Sequence, residues 1–154
     1  MIRKANELDI DSILLLLKDV LEIHRQIRPD LFKKGTSKFD ARELSYLLKN
    51  EDTPIFVYED NEKVVGHLFL KIITREETRS SYSYKELFIN DLVVNKQYRH
   101  KGIGKAFIEF AKKYGKEKGC KYVSLHAWEG NIDALIFYKK LGFTPRLYTL
   151  EEKL

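Results

Sequence analysis

Arg99-His100-Lys101-Gly102-Ile103-Gly104-Lys105 sets two glycines among basic side chains, between an apolar run and an amphipathic one. The run before it, Leu87-Phe88-Ile89-Asn90-Asp91-Leu92-Val93-Val94, is rich in β-branched and aromatic residues and reads as a strand. After it, Ile103, Phe107, Phe110, Ala111 and Tyr114 recur at helical spacing. The loop therefore lies where a strand hands over to a helix. Backbone N–H groups of that first turn have no intrahelical partner and face outward at the positive end of the helix dipole, where an anion is stabilised. Glycine gives the backbone freedom and removes the Cβ that would hold a phosphate away. Arg99, Lys101 and Lys105 add positive charge around it.

Two better-known phosphate loops do not fit these letters. A P-loop needs a Ser or Thr after its lysine to hold magnesium, and Ala106 follows Lys105. A dinucleotide-binding turn needs a small residue where Phe107 stands and an acidic residue roughly twenty positions on, where the chain reads Lys121-Tyr122. A lone Gly-x-Gly is also what an ordinary basic turn looks like, so the rest of the chain must decide.

The elements that would position this loop follow from pattern. Ile2 to Ala5 reads as a short strand. A helix from Asp9 to Ile27 buries Ile10, Ile13, Leu14, Leu17, Val20 and Leu21, and Pro29-Asp30 ends it. Asp40 is the expected N-cap of a helix over Ala41 to Leu48. Pro54 to Tyr58 and Val64 to Thr74 form an expected hairpin about Asp60-Asn61-Glu62, and a polar connection, Arg75 to Lys85, leads to the strand before the glycines. The glycine-loop helix stops at Gly119, Tyr122 to Trp128 is a strand, Asn131 opens a last helix closed by Gly142, and Phe143 to Leu150 is expected as a final strand. Strand, helix and strand in a row make a parallel crossover, and the earlier hairpins make antiparallel pairs. The sum is an α/β (α+β) mixed sheet with helices on both faces.

With 154 residues the chain fits one domain, residues 1–154. Its composition, 44% hydrophobic and 33% charged, is that of a soluble globular protein. No apolar run reaches the roughly 18 residues of a membrane span, and the N-terminus lacks a signal-peptide core, so the expectation is a cytoplasmic protein without a membrane partner. Cys120 is the single cysteine, expected as a packed thiol. His24, His67, His100 and His126 have no neighbours at metal-ligand spacing, and no metal is expected. The net charge of +5 and the set Lys112, Lys113, Lys116, Lys118 and Lys121 raise the question of nucleic acid. These lysines lie off the apolar helical stripe and no aromatic residues interleave with them, which disfavours a base-stacking surface.

Val93-Val94, then Arg99-x-x-Gly102-x-Gly104, then Asn131, Ala134 and Phe137-Tyr138-Lys139-Lys140-Leu141-Gly142-Phe143 resemble the GNAT superfamily of acetyl-CoA-dependent N-acetyltransferases. The resemblance implies a mostly antiparallel central sheet with a parallel pair splayed around acetyl-CoA. Arg99, His100, Lys101, Gly102, Ile103, Gly104 and Lys105 would then hold the pyrophosphate. Leu92, Val93 and Val94 would offer backbone groups to the pantetheine arm, one N–H there stabilising the oxyanion. Asn131 and Tyr138, two helical turns apart, would both face the cofactor. By the same resemblance Tyr138 is the general acid for the departing thiolate; free thiol and phenol pKa values of about 8.5 and 10 allow that transfer in a dry site.

The base departs from the family pattern. Some members carry glutamate where this chain has Asn90, immediately before Asp91-Leu92, and Asn90 stands with Tyr138 and Glu86 as a candidate catalytic residue. Glu86 is the replacement candidate for the base, with Asp91, His126 and Glu129 behind it, and a water in place of any of them is the remaining alternative. The resemblance also surrounds the acceptor with His24, Arg28, Asp30, Phe32, Tyr82, Tyr84 and Trp128. Arg28-Pro29-Asp30 serves equally as a helix stop with a local ion pair.

The function this implies is acetyl transfer from acetyl-CoA to a primary amine of a small molecule, such as a polyamine or an amino-acid derivative, by direct attack in a ternary complex. A non-catalytic acyl-CoA-binding regulator, a protein or peptide amine acetyltransferase and a basic nucleic-acid-binding module remain the alternatives. A homodimer is a family habit.

Overall fold

Alternation with period two over residues 55–60 and 63–75 sends successive side chains to opposite sides of a sheet, and the two sides collect separate cores. The computed structural model describes residues 1–154. Its strands are β1 (Ile2–Lys4), β2 (Ile55–Asp60), β3 (Lys63–Arg75), β4 (Tyr84–Val94) and β5 (Tyr122–Leu125), and its helices are α1 (Ile10–Ile27), α2 (Ala41–Leu48), α3 (Ile103–Glu117) and α4 (Ile132–Lys140). The strands follow one another in chain order across a single sheet. Every neighbouring pair is antiparallel except β4 with β5, which the α3 crossover makes parallel.

On one face Leu68, Leu70, Leu87 and Ile89 meet Ile103, Phe107, Ile108 and Ala111 of α3. On the other, Ile55, Val57 and Phe69 meet Ile13 and Leu17 of α1 and Leu44 of α2. The expected mixed sheet with helices on both faces is the observed architecture.

Local chemistry sets the element ends. Asn6 and Asp9 form a capping box around a short 3-10 turn, so α1 begins at Ile10, one residue after the expected Asp9. Asp40 and Glu43 form a second capping box at α2. The β2–β3 hairpin turns through Asn61 and Glu62, both at positive φ, in the left-handed geometry that matches strand twist. Gly119 and Gly142 follow α3 and α4 at φ +73° and +89°, where a residue with a Cβ would be strained.

Three sequence expectations change. The connection after β3 is shorter than the polar stretch 75–85, because β3 keeps Arg75 and β4 begins at Tyr84. The strand expected over Tyr122 to Trp128 ends at Leu125. The strand expected over Phe143 to Leu150 does not form: no backbone ladder hydrogen bond joins these residues, and Pro145 has no N–H to give. Side chains fasten this tail instead. Arg146 pairs with Glu86, and Glu151 pairs with Arg28 at the end of α1.

Candidate active site

The site grows from a bulge in β4. Phe69 of β3 faces Asp91, but the next residue, Leu70, faces Ile89, which leaves Asn90 with no partner across the ladder. A bulge bends its strand and increases the local twist. Pairing with β5 stops beside it, with Ile89 against Leu125 as the last couple. Beyond that point β4 runs on through Val94 with no strand on its outer side, and β5 ends at Leu125. The open edge from Asn90 to Val94 is a row of backbone groups that an extended amide-bearing ligand can pair with.

The open edge leads to the glycine loop. A 3-10 turn, Lys96–Tyr98, stands between β4 and the loop, capped by the Asn95 side chain. His100 and Gly102 both take positive φ, +62° and +82°, and curl the backbone into a concave turn. None of the N–H groups from Lys101 to Lys105 meets a protein acceptor, and the first bond of the helix is Ala106 N–H to the Gly102 carbonyl at 2.9 Å. Successive free N–H groups in such a turn, at the start of a fifteen-residue helix, make an anion cradle. The basic side chains are arranged unequally around it. Arg99 donates Nε to the Val94 carbonyl at 3.1 Å, Lys101 lies over the Tyr98 ring, and Lys105 approaches Glu109. Gly104 has a second role beyond anion approach: a Cβ there would lie 3.0 Å from Cζ of Phe137, so its absence lets α4 close on α3.

Helix α4 borders the gap. Asn131 is its N-cap, accepting from Ala134 N–H at 3.3 Å. Tyr138 is half-buried against Phe137 and Phe143, with no hydrogen-bond partner for its hydroxyl in the protein. Burial first, and the Asp91 charge second, push its pKa up to about 12, so the phenol keeps its proton throughout the neutral range. Lys112 of α3 donates to the Leu141 carbonyl at the other end of α4, so one member of the basic set is engaged in the fold.

The bulge also reverses the alternation of β4. Leu87, Ile89, Leu92 and Val94 point toward α3, whereas Glu86, Phe88, Asp91 and Val93 share the α1 face. On that face the Asp91 side chain is nearly buried, with Oδ1 3.8 Å from Nε2 of the fully buried His67. Burial alone would raise the Asp91 pKa, but the His67 interaction, with Lys38 and His24 nearby, holds it below the usual carboxylate range. His24 is shifted down, mainly by burial and further by Lys38, against an upward pull from Asp91. His67 and Lys38 were not among the residues expected at the site. The signal for His67 was its position as the one polar side chain in the apolar run Val64 to Leu70.

An aromatic cluster adjoins this pocket. His24 lies 5.4 Å from Phe32, Phe32 meets Trp128 edge to face at 5.7 Å, and the Arg28 guanidinium lies over Trp128 at 5.6 Å. Arg28 also pairs with Asp30 and Glu151. Tyr82 stands apart, almost fully exposed, and Tyr84 packs against Tyr122 at the far end of β4. His126 stacks edge to face on Phe88 and is exposed, as is Glu129.

Glu86, expected as the base, is committed elsewhere. Its buried carboxylate accepts from Arg75 at 2.9 Å, Arg146 at 2.6 Å and the Ser124 hydroxyl at 3.3 Å. Burial raises its pKa, and the two guanidiniums more than reverse that, so the carboxylate stays ionised with both oxygens engaged in holding the fold. It also lies where β4 is still paired with β5, opposite Tyr122. Asn90, the other expected polar contributor, has an exposed side chain and acts on the site by being the bulged residue.

A sequence profile of the Acetyltransferase (GNAT) family matches residues 17–143. An uncharacterised N-acetyltransferase of Bacillus subtilis is 32% identical over 92% of this chain and 88% of its own length. An uncharacterised N-acetyltransferase of Methanocaldococcus jannaschii is 31% identical over 94% of this chain, which spans only 61% of that relative. The thialysine N-epsilon-acetyltransferase of Sus scrofa is 24% identical over 92% of this chain and 82% of its own length. Among solved structures, a mutant of the BH1408 protein of Bacillus halodurans superposes with a TM-score of 0.96 at 25% identity, covering 100% of this chain and 99% of that one. With the parted strands and the glycine-loop cradle already in view, these matches establish that the chain belongs to the GNAT family of acetyltransferases.

Proposed function

We propose that this protein transfers the acetyl group of acetyl-CoA to a primary amine of a small molecule, by direct attack with both substrates bound. The observation that carries the reading is the continuity of the unpaired β4 edge, Asn90 to Val94, with the free N–H groups of Lys101 to Lys105. The two stretches suit the two halves of coenzyme A: an extended arm with amides and a pyrophosphate. When bound, acetyl-CoA supplies an activated acetyl thioester. The cradle and the β4 edge, with Asn131 beside them, orient it, and an N–H of Leu92 or Val94 faces the charge that develops on the carbonyl oxygen, the Val93 backbone being turned toward β3. Tyr138, protonated at neutral pH, gives its proton to the departing sulfur. His24, Phe32 and Trp128, with Arg28, line the approach of the amine, and aromatic faces attract an ammonium group. A small amine acceptor is supported by the name of the thialysine-acetylating relative.

The test is isothermal titration with acetyl-CoA of the unmodified protein and of Gly102→Val combined with Arg99→Ala and Lys101→Ala. Binding at about micromolar affinity, lost in the variant, supports the cradle, and thiol release is then followed across a panel of amines that includes thialysine and a polyamine. Absence of binding to the unmodified protein overturns the reading.

A further inference from the structure

We propose that His67 is a positioning residue for Asp91, and that the two side chains together form the proton acceptor for the incoming ammonium group. The inference rests on the acetyl-transfer reading and adds a group that reading does not use.

His67 is difficult to explain as packing. It is fully buried in the middle of β3, among apolar neighbours, with its ring 4.9 Å from that of Phe69. Neither Nδ1 nor Nε2 has a hydrogen-bond partner. A buried polar group left in that state destabilises the fold, a cost that a Phe or Leu at the same place would avoid. The one charged side chain within 4 Å of its ring nitrogens is Asp91, diagonally across the β3–β4 ladder on the same face, at 3.8 Å. That separation is longer than a hydrogen bond, and contacts of this kind commonly tighten once substrates fill a site. Asp91 itself follows the bulged Asn90, where β5 has just left β4, and lies close enough for its charge to act on Tyr138 of α4.

The charged and titratable groups around the pair come from every neighbouring element. His24 faces it from α1, Lys38 from the connection between α1 and α2, and Tyr138 from α4. Lys38 favours the ionised carboxylate. His24, half-buried beside the Phe32 ring and near enough for its charge to act on Asp91, is the group through which a proton can pass out to solvent.

The proton balance is as follows. Asp91, held by His67, removes one proton from the ammonium nitrogen. The freed amine forms its bond to the carbonyl carbon as the carbon–sulfur bond breaks. Tyr138 gives its proton to sulfur and regains one from the new amide nitrogen. The proton held by Asp91 and His67 then leaves through His24, so one proton is released for each acetyl group transferred.

The test compares His67→Phe, which removes the ring nitrogens, with His67→Gln, which keeps a donor; His67→Leu replaces the first if melting curves show that it does not fold. In the free enzyme, labelled with 13C at aspartate carboxyl carbons and assigned through Asp91→Asn, the Asp91 titration midpoint is expected to rise by about one unit or more in His67→Phe. In His67→Gln it stays within a few tenths of a unit. With acetyl-CoA and thialysine or a polyamine as substrates, the acidic limb of kcat/KM shifts in the same order. An Asp91 midpoint unmoved by His67→Phe, or kcat lowered equally in both variants with no movement of the limb, overturns the proposal. If the Asp91 midpoint responds but no amine is acetylated, the acetyl-transfer reading fails, and the catalytic role of the pair fails with it.

Discussion

Gly104 and Phe137 meet so closely that an added Cβ would lie 3.0 Å from Cζ and 3.2 Å from Cε2 of the ring. The contact ties the first turn of α3, which carries the cradle, to the helix that carries Tyr138. Gly104→Ala is therefore expected to destabilise the fold by about 1–3 kcal/mol, as overpacking does. Adding Phe137→Leu should recover part of that loss in urea unfolding, because it removes the atoms the new methyl would meet. Equal losses in the single and double variants would mean that the ring is not what the glycine accommodates.

Tyr138→Phe should lower kcat by about 10²-fold or more while leaving the affinity for acetyl-CoA close to that of the unmodified protein. The raised pKa of Tyr138, about 12, keeps the phenol protonated through neutral pH. Loss of the acid form would come only as pH climbs toward that value. An alkaline limb near pH 9 that disappears in Tyr138→Phe would assign the tyrosine a different ionisation.

Glu86 contributes stability that depends on pH. Its pKa is lower in the folded protein than in the unfolded chain, so the contribution is present above the unfolded value, about 4.3, and is lost as pH falls through the folded value. Both guanidiniums are half-exposed, which weakens the ion pairs, and Glu86→Gln should cost about 1–3 kcal/mol at pH 7. Urea unfolding at pH 7 and pH 3 is the check: the gap between the unmodified protein and the variant should narrow at the lower pH.

Trp128→Ala should raise KM for the amine and leave acetyl-CoA binding unchanged, since the Trp128 ring contacts Phe32 and Arg28, which line the proposed approach of the amine. Steady-state kinetics with each substrate varied in turn separates the two. A matching loss of acetyl-CoA affinity would place Trp128 with the cofactor instead.

Much of this was legible in the residues because the responsible forces are local. The two glycines between an apolar run and an amphipathic one marked the turn that opens α3, and Asp40 marked the start of α2. The hairpin could be read from Asn61, which tolerates left-handed geometry. What could not be read depended on partners distant in sequence. Glu86 looked like a free carboxylate because Arg75 and Arg146 lie 11 and 60 residues away. The facing of Asp91 depended on a one-residue bulge that period-two counting cannot detect. Residues 143–150 carry a strand-like pattern, yet a ladder also needs a neighbouring edge in register, and the sheet ends at β5.

The tail beyond α4 is attached in a different currency from the rest of the molecule. The sheet is joined by backbone hydrogen bonds and apolar cores, which dissolved ions leave largely intact, whereas the tail is fastened by Arg146 to Glu86 and by Glu151 to Arg28. At about 1 M salt the screening length shrinks to roughly 3 Å. Ionic strength therefore acts as a selective solvent for the far end of this segment, where the exposed Glu151 meets Arg28 beside Trp128, while Phe143 on Tyr138, Arg146 on the buried Glu86 and the strands beneath stay in place.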